Sequence, residues 1–203
     1  MSDKWKEKYR IDTARKPGWD YSSPGDYLIT VCTKHRKHFF GECTDGKMKL
    51  NLAGAAVQGF WYEIPKHFSH IELGKFVVMP NHIHGILTIK LSDTPEEEKQ
   101  VASLPDINRA FDGDLRKQPD FYKKIHAKKG SISVVVGSFK GACRRAINRY
   151  LPAIDFEWQS RFHDRVLRDE SELRNANHYI VFNPEMWEED KLKDPLNDED
   201  LQA

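Results

Sequence analysis

Two histidines separated by one apolar residue, His82-Ile83-His84, are the residues whose type and spacing point most directly to chemistry. Side chains two positions apart on a β-strand lie on the same face, so both imidazoles can reach one metal ion while Ile83 turns into the core. The alternative is a pair of polar residues on a solvated strand face, which an isolated His-x-His motif does not exclude. The motif therefore needs support from the residues around it.

A second group of possible metal ligands has the spacing C-x2-H-x2-H-x4-C, which would suit a zinc knuckle. Its members are Cys32, His35, His38 and Cys43. Short motif matches of this kind have a high false-positive rate. We therefore favour the alternative, a buried strand cysteine followed by a basic loop.

Lysines and arginines gather on one predicted helix and in the segment 91–130. The helix, residues 132–150, contains no acid, and its basic side chains lie off the apolar stripe: Lys140, Arg144, Arg145 and Arg149. The segment adds Arg116, Lys117, Lys123, Lys124, Lys128 and Lys129. Phosphate binding needs such clusters, so we predict that the four helical residues contact the phosphates of a nucleic acid. A solvated charged face is the alternative.

The elements that must position these residues follow in the order β-α-β-β-α-β, with one more helix at the C-terminal end. Apolar and β-branched runs predict strands over 26–33, 71–79, 82–90 and 156–167. Apolar spacing predicts helices over 52–63, ended by Pro65, and over 132–150 and 170–182. This order is the ferredoxin-like split βαβ arrangement. It predicts an α+β fold, with helices on one face of a four-stranded antiparallel sheet and the last helix carrying Tyr179.

The sequence divides into three parts by composition. Residues 1–25 read as an N-terminal arm, 26–187 as the main domain with a basic insertion at 91–130, and 188–203 as an acidic tail. Residues 184–203 carry a net charge of −6, which leaves +7 on residues 1–183 of a chain whose total is +1. A basic body is weakly indicative of a polyanionic partner, and an ordinary soluble domain with a solvated tail is the alternative.

Two stretches taken together resemble a known family. Residues 78–86 read VMPNHIHGI and residues 178–184 read HYIVFNP. The pair is similar to the single-tyrosine HUH (His-hydrophobic-His) transposases, in particular to the REP-associated tyrosine transposases, over most of residues 26–187. The resemblance implies a metal-dependent endonuclease and strand transferase that cuts single-stranded DNA at hairpin sites through a 5′-phosphotyrosine intermediate.

The resemblance also implies roles for individual residues. Tyr179 matches the catalytic nucleophile, while His82, His84 and Asn183 match the ligands of a divalent metal. Tyr179 and Asn183 are four residues apart, so one helical face carries both. Two imidazoles and an amide suit Mg²⁺ or Mn²⁺. The alternatives are a tyrosine at the edge of the core and an asparagine that ends a helix before Pro184.

Two other functions remain open from sequence. One is a catalytically silent nucleic-acid-binding module, because the ferredoxin-like fold is widely reused. The other is a two-histidine phosphoesterase, although no second His-x-Thr/Ser motif of that family's pattern is found. The expected partner is single-stranded or hairpin DNA, with no small-molecule substrate. Because relatives of that family can be dimeric, the sequence leaves both a monomer and a homodimer open.

Composition predicts where the protein resides. The apolar runs are shorter than the roughly 20 residues that span a bilayer, so no membrane partner is expected. The first residues, MSDKWKEKYR, lack the apolar region of a secretory signal. The 3 cysteines are odd in number and do not form a disulfide framework. We therefore expect a cytoplasmic protein.

Overall fold

The computed structural model describes residues 18–91, 128 and 130–195. Its strands are β1 (Gly25–Cys32), β2 (Gly41–Thr44), β3 (Lys47–Leu50), β4 (Ile71–Val78), β5 (His82–Ile89) and β6 (His163–Leu167). Its helices are α1 (Leu52–His67), α2 (Ile132–Tyr150) and α3 (Glu170–Phe182). Most of the predicted arm (1–17), nearly all of the predicted insertion, and residues 196–203 lie outside the described residues, so the predicted domain boundaries stay predictions.

Four strands form one antiparallel sheet in the order β4-β5-β1-β6. This order confirms the α+β, ferredoxin-like fold class predicted from sequence. The short strands β2 and β3 pair as a separate hairpin. Sequence analysis did not predict these two strands, because each has only 4 residues.

Helices α1 and α2 pack on one face of the sheet around the main core. The apolar positions of α2 that drive this packing are buried: Ile132, Val135, Val136, Phe139, Cys143 and Ile147. Inward-facing residues of β1 and β5 meet them, including Ile29, Val31, Ile83 and Leu87. In the described part of the chain, no helix is both long and apolar enough to cross a membrane.

Helix α3 lies on the opposite face of the sheet, where it forms a second, smaller apolar cluster. Ala176 and Ile180 of α3 pack there with Ile86 of β5 and Leu167 of β6. Ile86 is four residues after His82 on the same strand, so the two histidines share this face. The packing of Ala176 and Ile180 in this cluster therefore also determines how close Tyr179 comes to β5.

Two predicted boundaries are wrong for physical reasons. Helix α1 continues through Pro65 to His67, and the backbone N–H of Phe68 still donates to the carbonyl of Ile64. A proline in the last turn removes only one helical hydrogen bond.

Strand β6 begins at His163 rather than at residue 156. The carbonyls of Gln159, Ser160 and Arg161 accept hydrogen bonds from the Lys140 ammonium instead of from a neighbouring strand. The stretch before β6 keeps only an isolated bridge, between Thr33 and Trp158.

We predict that Gly85→Ala lowers the free energy of unfolding. A Cβ at Gly85 would lie 2.3 Å from the ring of Trp61, which is fully buried. Overpacking of this kind costs about 1–3 kcal/mol. The matched control is Gly59→Ala, where a Cβ meets nothing within 4 Å on exposed helix and adds stability. Urea denaturation of the two variants measures the difference, and equal midpoints would contradict the packing argument.

Candidate active site

His82 and His84 lie side by side at the start of β5, on the face covered by α3. His82 is fully buried and His84 is 2% exposed, with ring centroids 4.6 Å apart. The register pairs them with Cys32 and Thr30 of β1. A solvated strand face, the alternative weighed from sequence, is therefore excluded.

The two ring nitrogens of His82 have different surroundings. Nδ1 lies 2.7 Å from the side-chain oxygen of Asn81, which accepts its hydrogen. Nε2 is buried and has no hydrogen-bond partner among the described residues. The nearest acid is Asp190, whose Oδ2 lies 3.7 Å away. An unpaired, buried lone pair beside a carboxylate is what an unliganded metal site would present.

His84 connects the sheet to helix α3, which carries Tyr179. Its Nδ1 lies 2.8 Å from the hydroxyl of Thr30, and its Nε2 lies 3.0 Å from the hydroxyl of Tyr179. The tyrosine and imidazole rings meet edge-on, with centroids 4.9 Å apart. Because Tyr179 and His84 belong to the same chain, one copy of the chain brings them together.

Both imidazoles are neutral. Burial lowers the pKa of His82 to about 3, with repulsion from Arg36 in the same direction and the Asn183 amide opposing it. Burial and the neighbouring His82 lower the pKa of His84 to about 3, with Asp190 opposing. A neutral imidazole is the form that binds a metal, because protonation occupies the lone pair that would reach the ion.

Tyr179 lies in the last turn of α3, and Asn183 caps the C-terminal end of this helix. Both side chains project toward the histidines. The Tyr179 side chain is 45% exposed, so its ring borders both the cluster and solvent. Burial, then the Asp190 carboxylate, raise the pKa of Tyr179 above its ordinary value. Asn183 is buried, and its side-chain oxygen is without a hydrogen-bond partner in the described chain. Its side-chain nitrogen lies 3.5 Å from Asp190 Oδ2, so the Asn183 amide borders the same cluster as His82 Nε2.

Asp190 completes this cluster, and sequence analysis did not find it. One ligand atom from each of His82, His84 and Asp190 lies within 4.8 Å of the others. Asp190 belongs to the segment described as an acidic tail, whose described part, 188–195, packs against the site. The signal in the sequence is Trp187, an aromatic residue in an acidic run, which is 5% exposed and anchors the segment beside His82.

The donor set fits a divalent cation. Two imidazole nitrogens and a carboxylate oxygen converge, and the Asn183 amide borders them through its side-chain nitrogen, 3.5 Å from Asp190 Oδ2. Two polar atoms, His82 Nε2 and Asn183 Oδ1, are buried without partners among the described residues. Borderline nitrogen with hard oxygen donors suits Mn²⁺ or Mg²⁺ better than a thiolate-rich zinc site.

The rival cysteine–histidine group does not come together in the described structure. The Cys43 thiol donates to the carbonyl of Pro184, and His38 Nε2 lies 2.9 Å from the carbonyl of Lys193. Burial raises the pKa of Cys32 to about 11, so its thiol stays protonated and is a poor ligand.

The four predicted DNA-binding residues lie on α2, on the face of the sheet opposite α3. Burial lowers the pKa of Lys140 to about 8, and its ammonium is bonded to the carbonyls before β6. Arg144 pairs with Glu157 at 2.9 Å, and Arg149 lies over the ring of Tyr150. The structure does not gather these side chains around the histidines, and their DNA contacts stay a prediction.

An open cleft of about 440 Å³ adjoins the cluster along the free edge of the sheet. Its wall includes Thr30, the partner of His84, together with His163, Arg165 and Arg168. The register places His163 opposite Thr30 and Asp164 opposite Ile29. His163 is thus on the face of the site, and Asp164 faces the core.

Comparison with known proteins identifies a relative of the chain. No protein-family model matches it. A protein of Haemophilus influenzae (strain Rd), described as uncharacterized, is 30% identical over 174 residues, which is 86% of this chain and 88% of that protein. The two proteins belong to one family. Because the relative is described as uncharacterized, membership shows common ancestry and assigns no chemistry to this chain.

Two solved structures are similar in fold. One is a REP-associated tyrosine transposase bound to a REP hairpin, with 17% identity, a TM-score of 0.49, and 91% of this chain and 73% of that chain covered. The other is a Deinococcus radiodurans R1 protein provisionally described as a transposase, with 14% identity, a TM-score of 0.40, and 84% and 98% covered. At these identities, the likeness concerns the fold alone.

We predict that the metal-free protein loses stability as the pH falls below about 6.5. The unfolded chain binds protons on both histidines near the ordinary value of 6.5, whereas the folded state resists protonation down to about 3. Stability is therefore full above that window and falls by up to about 1.4 kcal/mol per pH unit for each histidine within it.

Denaturant titrations between pH 7 and 4 measure this slope. His82→Gln and His84→Gln should each remove part of it, whereas His163→Gln, at an exposed position, should leave it unchanged. A slope that persists in the double His82→Gln/His84→Gln variant would contradict the assignment.

Proposed function

We propose that this protein is a metal-dependent, transposase-like enzyme in which Tyr179 attacks a phosphodiester of single-stranded DNA beside a hairpin. The observation that carries the proposal is the 3.0 Å contact between the Tyr179 hydroxyl and His84 Nε2, inside a cluster of potential metal ligands. The motif resemblance supplies the substrate class and indicates which DNA end, the 5′ phosphate, becomes bonded to the tyrosine. A homodimer and a cytoplasmic location stay predictions.

His82, His84, Asn183 and Asp190 would hold the divalent metal. When bound, a Mg²⁺ or Mn²⁺ ion polarises the phosphate and offsets the charge that develops on its oxygens. Asp190 extends the ligand set predicted from sequence, and its charge suits a dication better than three neutral donors alone.

The tyrosine performs a transesterification. The phenolic oxygen of Tyr179 bonds to phosphorus, and the bond from phosphorus to the 3′ oxygen breaks. The phenol loses its proton, and the departing 3′ oxygen gains one. The products are a 5′-phosphotyrosine and a free 3′-hydroxyl, so the phosphodiester energy is kept for rejoining. Because the pKa of Tyr179 is raised, the hydroxyl is a weak nucleophile until its surroundings accept the proton.

The cleft beside Thr30 supports a path for the DNA strand. Arg165 and Arg168 line it, and both are 65% exposed on their side chains while contacting Glu172 of α3. The carboxylate holds the two guanidinium groups in place at the rim. A strand lying along this edge would present its phosphates to the arginines and would continue toward Tyr179.

We predict that Tyr179→Phe abolishes the covalent DNA adduct while DNA and Mn²⁺ binding persist, because only the nucleophilic oxygen is removed. The experiment incubates the protein with single-stranded hairpin oligonucleotides and Mn²⁺, then resolves protein–DNA adducts by denaturing gel and peptide mass spectrometry. The control is Tyr150→Phe, since Tyr150 is 74% exposed on α2. It should form adducts at the wild-type rate.

Three outcomes would count against the proposal. An adduct on a residue other than Tyr179 would reject the nucleophile, and cleavage that survives chelation of all divalent metal would reject the mechanism. DNA binding with no adduct under any condition would favour the catalytically silent module instead.

We further predict that the two arginine pairs act differently. Arg165→Gln/Arg168→Gln should reduce binding and cleavage of the single strand next to the hairpin. Arg144→Gln/Arg145→Gln, with the same charge change on α2, should weaken binding to all DNA alike. Each lost phosphate contact lowers the slope of log affinity against log salt by about 1.

Fluorescence anisotropy across a salt series separates the two pairs. If the cleft pair leaves single-strand affinity and cleavage unchanged, the cleft is not the DNA path. If the α2 pair leaves affinity unchanged, the DNA contacts predicted for that helix are wrong.

A further inference from the structure

Asn81 lies immediately before His82, in the turn between β4 and β5, and is fully buried. Its side-chain nitrogen lies 3.0 Å from the carbonyl of Arg36, 2.6 Å from that of Leu192 and 3.1 Å from that of Lys193. Carbonyl oxygens can only accept hydrogen bonds, so the amide nitrogen must face this group. The side-chain oxygen of Asn81 is thereby turned toward His82.

This orientation determines which nitrogen of His82 carries hydrogen. The Asn81 oxygen lies 2.7 Å from His82 Nδ1 and cannot donate, so Nδ1 must donate. In a neutral imidazole the other nitrogen, Nε2, then has the free lone pair. That lone pair lies on the side of Asp190, at 3.7 Å from its Oδ2.

The same amide also holds the segment that carries Asp190. Leu192 and Lys193, whose carbonyls Asn81 binds, follow the acid closely in sequence. The backbone N–H of Leu192 in turn donates to Asp190 Oδ1 at 2.7 Å. A single side chain therefore contacts one candidate ligand directly and fixes the loop that presents another.

We propose that Asn81 is a positioning residue that selects the Nδ1–H tautomer of His82 and anchors the segment carrying Asp190, so that both side chains face one divalent cation. The inference rests on the proposed function only in taking a metal ion as the ligand. The tautomer and the anchoring are properties of the chain itself.

Two substitutions separate the two tasks of Asn81. Asn81→Asp keeps an oxygen that accepts from His82 Nδ1 but has no N–H for the three carbonyls, so it retains the tautomer and releases the segment. Asn81→Ala loses both contacts. The control is Asn148→Ala, because the Asn148 amide also clamps backbone, at both the N–H and the carbonyl of Phe156, away from the site.

Two measurements test the proposal. Nitrogen-15 NMR of histidine-labelled, metal-free protein reports the tautomer, with His82 assigned by its loss in His82→Gln. Titration with Mn²⁺, followed by EPR, gives metal affinity. We expect Nδ1–H at His82 in wild type and Asn81→Asp, and a mixed signal in Asn81→Ala. Both variants should lose Mn²⁺ affinity by about 10–100-fold, as is usual when the partners of metal ligands are removed, whereas Asn148→Ala should keep it.

A wild-type His82 protonated at Nε2 would overturn the inference, as would Mn²⁺ affinities within twofold of wild type in both Asn81 variants. If one variant fails to fold by circular dichroism, the other variant and the wild-type tautomer decide. A wild-type protein that binds no Mn²⁺ and forms no DNA adduct would refute the proposed function, and the NMR of metal-free protein would still decide the role of Asn81 in setting the tautomer.

Discussion

The burial of two neutral imidazoles side by side on β5 is the constraint on which the rest of the site depends. An unpaired buried polar atom costs about 1–3 kcal/mol, and His82 Nε2 and Asn183 Oδ1 are two such atoms in residues that border one cluster. The fold keeps these two unpaired atoms near the Asp190 carboxylate, although they form no hydrogen bond with it. Coordination of a cation would satisfy them at once, which is why we interpret the cluster as a metal site.

The surrounding elements serve to hold that cluster. Strand β5 is one of the two inner strands of the sheet, and Gly85 lets Trp61 pack directly against its backbone on the core face. On the other face, Ile180 seats α3 in an apolar cluster close to His84. Helix α3 is thus fixed by ordinary apolar packing, which leaves the Tyr179 hydroxyl in contact with His84.

Much of this arrangement could be predicted from local sequence. The apolar spacing of α2 and α3 and the His-x-His motif all depend on residues near one another in the chain, and the bounds of both helices match the prediction. The role of Asp190 could not be predicted in this way. Its position depends on hydrogen bonds from the side chains of Arg36 and Asn81, which are distant in sequence, to the backbone carbonyls of Lys191 and Leu192. The start of β6 was missed for a related reason, since a lysine from α2 takes the carbonyls that a longer strand would need.

The most direct test of the central claim is anomalous X-ray diffraction at the manganese edge from crystals grown with Mn²⁺. We predict one anomalous peak within bonding distance of His82, His84, Asn183 and Asp190, on the side of the cluster that faces Tyr179. No peak at this position in crystals that hold manganese elsewhere, or a peak among Cys32, His35, His38 and Cys43 instead, would contradict the account.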